Sequence, residues 1–293
     1  MRGNFTTARS DSAPDGARQL AVPWWSVTKA VLAAAALRLV AQGQLQLDEP
    51  FDGQPYTLRH LLQHRAGVPD YGNLSSYQRA VERGDKAWDV AHLLEQAGAT
   101  QLQFAPGEGW LYSNVGYMFV RRKIEEVTGL DMDMALRRLV FDPLGMTSVR
   151  LAGTATDLAE TAWGNARGYD PAWVYHGLLV GTAHDAVRFL HALMSGHVLP
   201  GALLAEMTKP VPLGGALPDR PWEETGYGLG LMIGRFALAG STVGHSGGGP
   251  GSVSAVYHFA GRREPCTVAA FAASENVGLV EYEAARLATT PGP

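Results

Sequence analysis

The 293-residue chain reads as an α/β protein of the α+β type, a mostly antiparallel sheet flanked by terminal helices and interrupted by a large helical insertion. Three observations predict this: strand-like runs gather toward the two ends, helical periodicity fills the middle, and a last helical pattern follows the final strand-like run.

From the N-terminus, Asn4-Phe5-Thr6-Thr7 and Gln19-Leu20-Ala21-Val22 flank the turn signal Ala13-Pro14-Asp15-Gly16, which predicts a short hairpin. The run Ala30-Val31-Leu32-Ala33-Ala34-Ala35-Ala36-Leu37 predicts a helix. Further helices are predicted over 58–63, 89–97, 115–127, 132–140, 185–194 and 202–207, separated by Gly- and Pro-containing loops. Strand-like runs follow at 227–233, 252–259 and 266–273, with a closing helix over 280–288. This divides the chain into an α/β lobe of residues 1–56 and 210–293 and a mainly helical lobe of 57–209. The two form a single domain, and a catalytic site is expected in the cleft between them.

With 46% hydrophobic residues the chain can bury a substantial core. A net charge of −4 and no long basic run give no electrostatic footprint for nucleic acid or an anionic membrane, so a small molecule is the expected partner. Cys266, the single cysteine, leaves no internal disulfide and sits in a run that reads as a buried strand. Residues 1–18 contain no apolar signal-peptide core, and Ser26, Lys29 and Arg38 interrupt the stretch 20–40. Neither a signal peptide nor a membrane span is expected, which makes a cytoplasmic location the default, with a secreted or periplasmic one the alternative if a leader has been removed. No internal repeat is visible, and nothing calls for a metal or cofactor.

Ser26-Val27-Thr28-Lys29 is the most informative stretch, because residues three apart on a helix lie within side-chain reach. Among 13 Ser and 4 Lys it is the one Ser-x-x-Lys pair. Chance predicts about 0.2 such pairs. Since 20 of the 24 basic residues are Arg, Lys29 is not the default surface cation. A buried amine can shed its proton and act as a base, whereas a guanidinium cannot. Ser26 is then the candidate nucleophile and Lys29 its base. The remaining lysines, Lys86, Lys123 and Lys209, read as solvated.

Tyr112-Ser113-Asn114 follows the turn-rich Phe104-Ala105-Pro106-Gly107-Glu108-Gly109-Trp110. A phenol there can relay a proton, and an amide two residues on can hold a substrate carbonyl or amide. Tyr71-Gly72-Asn73 has the same spacing, and context alone favours Tyr112. In Gly244-His245-Ser246-Gly247-Gly248-Gly249-Pro250-Gly251, a strand edge of small residues lets a substrate lie against the backbone. A backbone N–H from this segment, paired with that of Ser26, makes an oxyanion hole.

S-x-x-K, Y-x-N and then H-x-G in place of K-T-G resemble the serine β-lactamase and penicillin-binding protein superfamily, specifically its class C and esterase-like branch. The likeness extends through Leu61-Leu62-Gln63-His64-Arg65-Ala66-Gly67, the span 104–117, Pro143-Leu144-Gly145-Met146 and Tyr227-Gly228-Leu229-Gly230. It covers the chain from about residue 22 to the last helix. The resemblance implies that Ser26 is acylated, Lys29 is its base and Tyr112 relays the proton. It further implies that Asn114 contacts Lys29 and substrate, and that His245 and Gly247 line the cleft. The oxyanion donors it implies are the Ser26 and Gly248 amides. It also implies that water is activated by Tyr112 or Lys29, because no E-x-x-L-N segment occurs.

The expected activity is therefore hydrolysis of small carboxylic esters or amides through an acyl-enzyme. D-alanyl peptidase or weak class C-like β-lactamase activity is the first alternative, and a penicillin-recognising protein that acylates and stalls is the second. His245 stands where β-lactamases carry a carboxylate-binding lysine. Strong β-lactamase activity is thus not expected, and protonation of His245 is expected to favour anionic substrates at low pH. The shorter segment before Ser26 predicts a trimmed sheet edge.

Two other readings fit fragments of the sequence. Gly244 to Gly248 also matches G-x-S-x-G, but no Asp or Glu lies in 247–257 and His258 is the single later histidine. His60 and His64 share helical i,i+4 spacing without the glutamate of H-E-x-x-H, and read as structural.

Overall fold

The computed structural model describes residues 5–11, 20–163 and 168–291. Its strands are β1 (Phe5–Arg9), β2 (Val22–Pro23), β3 (Arg150–Leu151), β4 (Leu179–Gly181), β5 (Val211–Gly214), β6 (Trp222–Tyr227), β7 (Met232–Phe236), β8 (Gly240–Gly249), β9 (Ser252–Phe259) and β10 (Cys266–Ala272). Seven form one sheet in the order β1-β10-β9-β8-β7-β6-β5, antiparallel throughout. A small second sheet has the order β2-β4-β3. The helices are α1 (Thr28–Ala41), α2 (Leu58–Leu62), α3 (Ser75–Glu82), α4 (Val90–Ala97), α5 (Asn114–Thr128), α6 (Met132–Leu136), α7 (Ala155–Ala159), α8 (Ala183–Met194), α9 (Gly201–Met207) and α10 (Val277–Thr289).

Both faces of the large sheet are covered, which explains why β9 and β10 are buried at every position. Successive side chains of a strand point to opposite faces. Val256, Ala269 and Phe271 accordingly join the core built around α1 and α8. Tyr257, Phe259, Val268 and Ala270 pack instead with Val280, Ala284 and Ala285 of α10. Helix α1 is buried on nearly all sides, as its Ala- and Leu-rich sequence requires, and runs through the first of these cores. No helix among the described residues is long and apolar enough to cross a membrane.

The expected N-terminal hairpin does not form. β1 pairs with β10 and β2 pairs with β4, so the two segments belong to different sheets. An isolated two-stranded hairpin is marginal in water, and each segment gains more by adding to a larger sheet. The turn signal at residues 13–16 lies outside the described residues. At the sheet's β10 edge, β1 is the outermost strand.

The run 227–233 is the junction of β6 and β7 rather than one strand. Gly230 turns there with φ +78°, and a side chain on it would meet the Ala33 side chain and the Lys29 carbonyl. The predicted helix 132–140 is α6 followed by a wider i→i+5 turn over Arg137–Phe141. Lys123 is not simply solvated, since it is ion-paired with Asp52 and with Glu126 at 2.7 Å.

Glu281 of α10 is fully buried beneath the sheet. It accepts from Arg220 Nε at 2.6 Å and Nη2 at 2.5 Å, from Tyr257 OH at 3.0 Å and from Trp222 Nε1 at 3.2 Å. Removing one partner of such a pair strands the other charge, at a cost of about 3–5 kcal/mol. Glu281→Gln is therefore expected to lower stability by about 3 kcal/mol, the low end because Arg220 keeps some contact with water. Urea unfolding at pH 7 measures it, and replacing Arg220 and Glu281 together by leucine is expected to cost less than Glu281→Gln alone.

Candidate active site

Ser26 lies at the centre of a single 3₁₀ turn, Trp25–Val27, that leads into α1. It therefore precedes the α-helix rather than lying on it. Trp25 holds the left-handed backbone conformation, φ +47°, an unfavourable state for a bulky residue that the surroundings must enforce. Three hydrogen bonds do so. Trp25 Nε1 donates to Ser252 Oγ at 2.9 Å, Ser254 Oγ donates to the Trp24 carbonyl at 2.9 Å, and the Trp24 amide donates to the Leu179 carbonyl at 2.8 Å. The turn is clamped between β9 and β4.

Lys29, in the first turn of α1, is completely buried. Its Nζ stands 3.2 Å from Ser26 Oγ, 2.8 Å from Asn114 Oδ1 and 3.1 Å from His176 Nε2. It also lies 4.9 Å from the centre of the Tyr112 ring. Burial lowers its pKa from 10.5 to about 7, against the opposing pull of the Asp70 carboxylate. A neutral amine beside the hydroxyl is thus accessible at physiological pH.

Asp70 fixes the orientation of Asn114. Its carboxylate accepts from the Asn114 backbone amide at 2.7 Å and from Nδ2 at 3.2 Å, which leaves Oδ1 for Lys29. Ser113 caps α5 by accepting from the Gly116 amide at 2.9 Å. His64 accepts the Ser113 amide at Nδ1, 3.0 Å, and its ring centre lies 4.2 Å from that of Tyr112. The Tyr112 phenol is hydrogen-bonded to Ser26, and burial pushes its pKa well up, so it remains protonated across the neutral range. These bonds agree with the structural reading of the His60 and His64 pair: His64 is engaged by Ser113, and His60 Nδ1 accepts from Thr57 in the cap of α2.

On β8, Gly247 abuts the Ser26 backbone, where a side chain would collide with the Ser26 nitrogen. Gly249 is pressed against the Trp25 ring in the same way. His245 is buried, with Nδ1–H donating to the Ser246 carbonyl at 2.6 Å and Nε2 accepting from Tyr227 OH at 2.9 Å. Burial, then the neighbouring Lys29 charge, pushes its pKa down to about 3. The expectation that His245 titrates in the usual histidine range is thereby corrected, since it stays neutral from pH 5 to 8.

Ser246 Oγ is engaged by Arg220 Nη2 at 3.1 Å and by the Met232 sulfur. His258 Nδ1 contacts Thr267 instead of Ser246. That arrangement gives the G-x-S-x-G reading no base.

Two cavities meet at Ser26 and Tyr112. One, of about 750 Å³, is walled by Trp110, Leu213, Leu217, Trp222, Met232 and Val277 and includes His245 and Gly247. The other, of about 280 Å³, is lined by Trp25, Tyr71, Tyr77, His176 and Gly248. Trp25 and Trp110 thus border the cleft, while Trp24 is core.

Ser26, Lys29, Tyr112, Asn114, His245, Gly247 and Gly248 are brought around this junction. The sequence reading missed Asp70, His176 and Arg220. Pro69-Asp70-Tyr71 and Tyr175-His176-Gly177 carry no spacing signal linking them to Lys29.

The family model described as Beta-lactamase matches residues 17–283, and the chain belongs to that family. Penicillin-binding protein 4* of Bacillus subtilis is 28% identical over 261 residues, spanning 77% of this chain and 55% of that protein. Esterase EstB of Burkholderia gladioli is 36% identical over 141 residues, 41% of this chain and 36% of the esterase. The chain therefore spans about half or less of these relatives. A D-stereospecific amidohydrolase from a Streptomyces species has the same fold with a TM-score of 0.79 at 25% identity, covering 99% of this chain and 94% of that one. The family resemblance and the fold class read from the sequence both hold.

Burial of Lys29 also sets how stability depends on pH. Between about 7 and 10.5 the unfolded state binds a proton on this lysine that the folded state does not, so stability rises with pH across that window. Lys29→Met is expected to flatten this rise and to raise stability at pH 7 by about 1–2 kcal/mol, as active-site substitutions that relieve a buried charge do. Chemical denaturation from pH 7 to 10 measures both effects.

Proposed function

We propose that this member of the Beta-lactamase family is a serine hydrolase that forms an acyl-enzyme on Ser26 and cleaves uncharged esters or amides. The observation that carries the proposal is the buried Lys29 amine, with a pKa near 7, 3.2 Å from Ser26 Oγ. Neutral Lys29 removes the Ser26 proton as the hydroxyl attacks the substrate carbonyl. The developing oxyanion is held by the Ser26 and Gly248 amides, the interaction that contributes most in acyl transfer.

Tyr112 delivers its proton to the leaving group and takes one back from the Lys29 ammonium, so that both residues return to their starting states before water attacks. Its raised pKa makes it a donor and leaves the base role to Lys29, in acylation and again when water attacks the acyl-enzyme. Asn114, held by Asp70, keeps Lys29 in place and presents an amide to the substrate.

The walls of the cleft support the choice of substrate. The larger cavity is mainly apolar, its histidine is neutral, and the Arg220 charge is compensated by buried Glu281. A bulky apolar group fits there better than a carboxylate does. The esterase relative and the D-stereospecific amidohydrolase neighbour support esters and amides as substrates.

Mass spectrometry after exposure to a fluorophosphonate is expected to find the adduct on Ser26, and an adduct on Ser246 overturns the assignment. Lys29→Arg is expected to be nearly as inactive as Lys29→Ala, each losing about 10²–10⁴ in kcat. If Lys29→Arg retains most activity, Lys29 is not the base.

Activity is expected to rise with pH through about 7, as Lys29 loses its proton. The ratio of kcat/KM for carboxylate-bearing over neutral esters is expected to stay flat from pH 5 to 8, because His245 does not titrate there. p-Nitrophenyl esters, D-amino amides and a chromogenic cephalosporin, compared side by side, test the preference. Faster turnover of the cephalosporin than of every ester and amide refutes it.

A further inference from the structure

We propose that His176 is a positioning residue that directs the lone pair of Lys29 at Ser26. The inference rests on the base role proposed for Lys29 and concerns how that base is aimed. His176 lies between the short 3₁₀ turn Pro171–Trp173 and β4 and is buried, with Nε2 3.1 Å from Lys29 Nζ.

A neutral primary amine has two N–H donors and one lone pair on a nitrogen that rotates freely about its last carbon bond. To accept the Ser26 proton, Lys29 must place both N–H groups elsewhere. Asn114 Oδ1, at 2.8 Å, takes one, since Asp70 holds the amide with its oxygen toward Lys29. His176 Nε2 takes the other, which leaves the lone pair for Ser26 Oγ.

The assignment requires the proton of neutral His176 to sit on Nδ1. With the proton on Nε2, the imidazole would donate to the Lys29 lone pair and compete with Ser26 for it. Nδ1 has no hydrogen-bond partner among the described residues, so the protein provides no acceptor that sets the tautomer. Lys29 sets it. Once it has taken the serine proton, the ammonium has three donors and no acceptor, and Ser26 Oγ, Asn114 Oδ1 and His176 Nε2 are the three atoms within reach. The same set therefore aims the base before transfer and solvates the cation after it.

His176 itself is held neutral by burial and by the neighbouring Lys29 charge. The other titratable groups facing this point are His64, His245, Tyr112, Tyr117, Asp70 and Arg121. The three histidines and two tyrosines are uncharged at neutral pH, which leaves Asp70 and Arg121 as its fixed charges.

Two variants separate the acceptor from the ring. His176→Leu removes the acceptor, whereas His176→Gln places an amide oxygen near the position of Nε2. In His176→Leu the ammonium loses a charge-assisted bond, so the Lys29 pKa is expected to fall below 7 and the acid limb of kcat/KM to move down with it. Its plateau kcat is expected to drop by about 10- to 100-fold, with KM for a neutral ester nearly unchanged. His176→Gln is expected to restore both pKa and plateau in large part.

The Lys29 pKa is read by NMR titration of ¹³Cε-labelled lysine in the resting protein, where 4 lysines keep the spectrum assignable. An unchanged Lys29 pKa and unchanged pH profile in His176→Leu overturn the inference. So does a His176→Gln variant as impaired as His176→Leu. Ser26→Ala is assayed alongside. Retained turnover there refutes the acyl-enzyme on Ser26, while the lysine titration still decides the role of His176.

Discussion

The structure depends on keeping the Lys29 amine out of water. A lysine ammonium is among the most strongly hydrated side-chain groups, and burying it without an equal countercharge costs enough to release its proton. Asp70 supplies only partial compensation. Its oxygens are taken up by the Asn114 amides and the Gly72 amide, so its field reaches Lys29 through a hydrogen-bonded intermediary rather than a direct ion pair. A direct carboxylate contact would hold the lysine protonated and remove the base. The amide between them keeps the pKa near the working range.

That constraint explains features that otherwise look unrelated. Helix α1 is apolar on nearly every side because it must carry Lys29 into the core. Gly230 brings the β6–β7 junction against Ala33 and the Lys29 carbonyl, and Gly247 and Gly249 bring β8 against Ser26 and Trp25. Larger residues at these points would hold the sheet away from α1 and let water reach the amine. The left-handed conformation of Trp25 belongs to the same design, since it turns the chain so that Ser26 remains half exposed while Lys29, three residues later, is sealed.

Much of this was legible from residues close in sequence. Ser26 and Lys29 are related by local helical geometry, and Tyr112 and Asn114 flank the Ser113 cap of α5. The long helices were legible because their periodic faces pack on one core. Asp70 and His176 were not, because each meets the site across a long separation in sequence with no local pattern to mark it. The N-terminal hairpin misled for the reverse reason. A strong local turn signal competes poorly with a sheet edge that offers β1 five paired positions on β10. Helix α3 went unread because its short, mostly polar sequence buries only Ala80.

His245 shows how far residue identity can mislead without burial. Exposed, an imidazole is a switch near neutral pH. Here Tyr227 donates to one ring nitrogen and the Ser246 carbonyl accepts from the other, so protonation would cost the Tyr227 bond and place a second cation near Lys29. A neutral His245 in turn favours the proposed transfer of the serine proton to Lys29, because no neighbouring imidazolium then opposes a charge on the amine. With Arg220 compensated by Glu281, the positive charge of the proposed acylation arises on Lys29 itself, beside the oxyanion it helps to balance. The electrostatics of the cleft therefore suit the charge separation of the proposed reaction better than a charge carried in by a substrate.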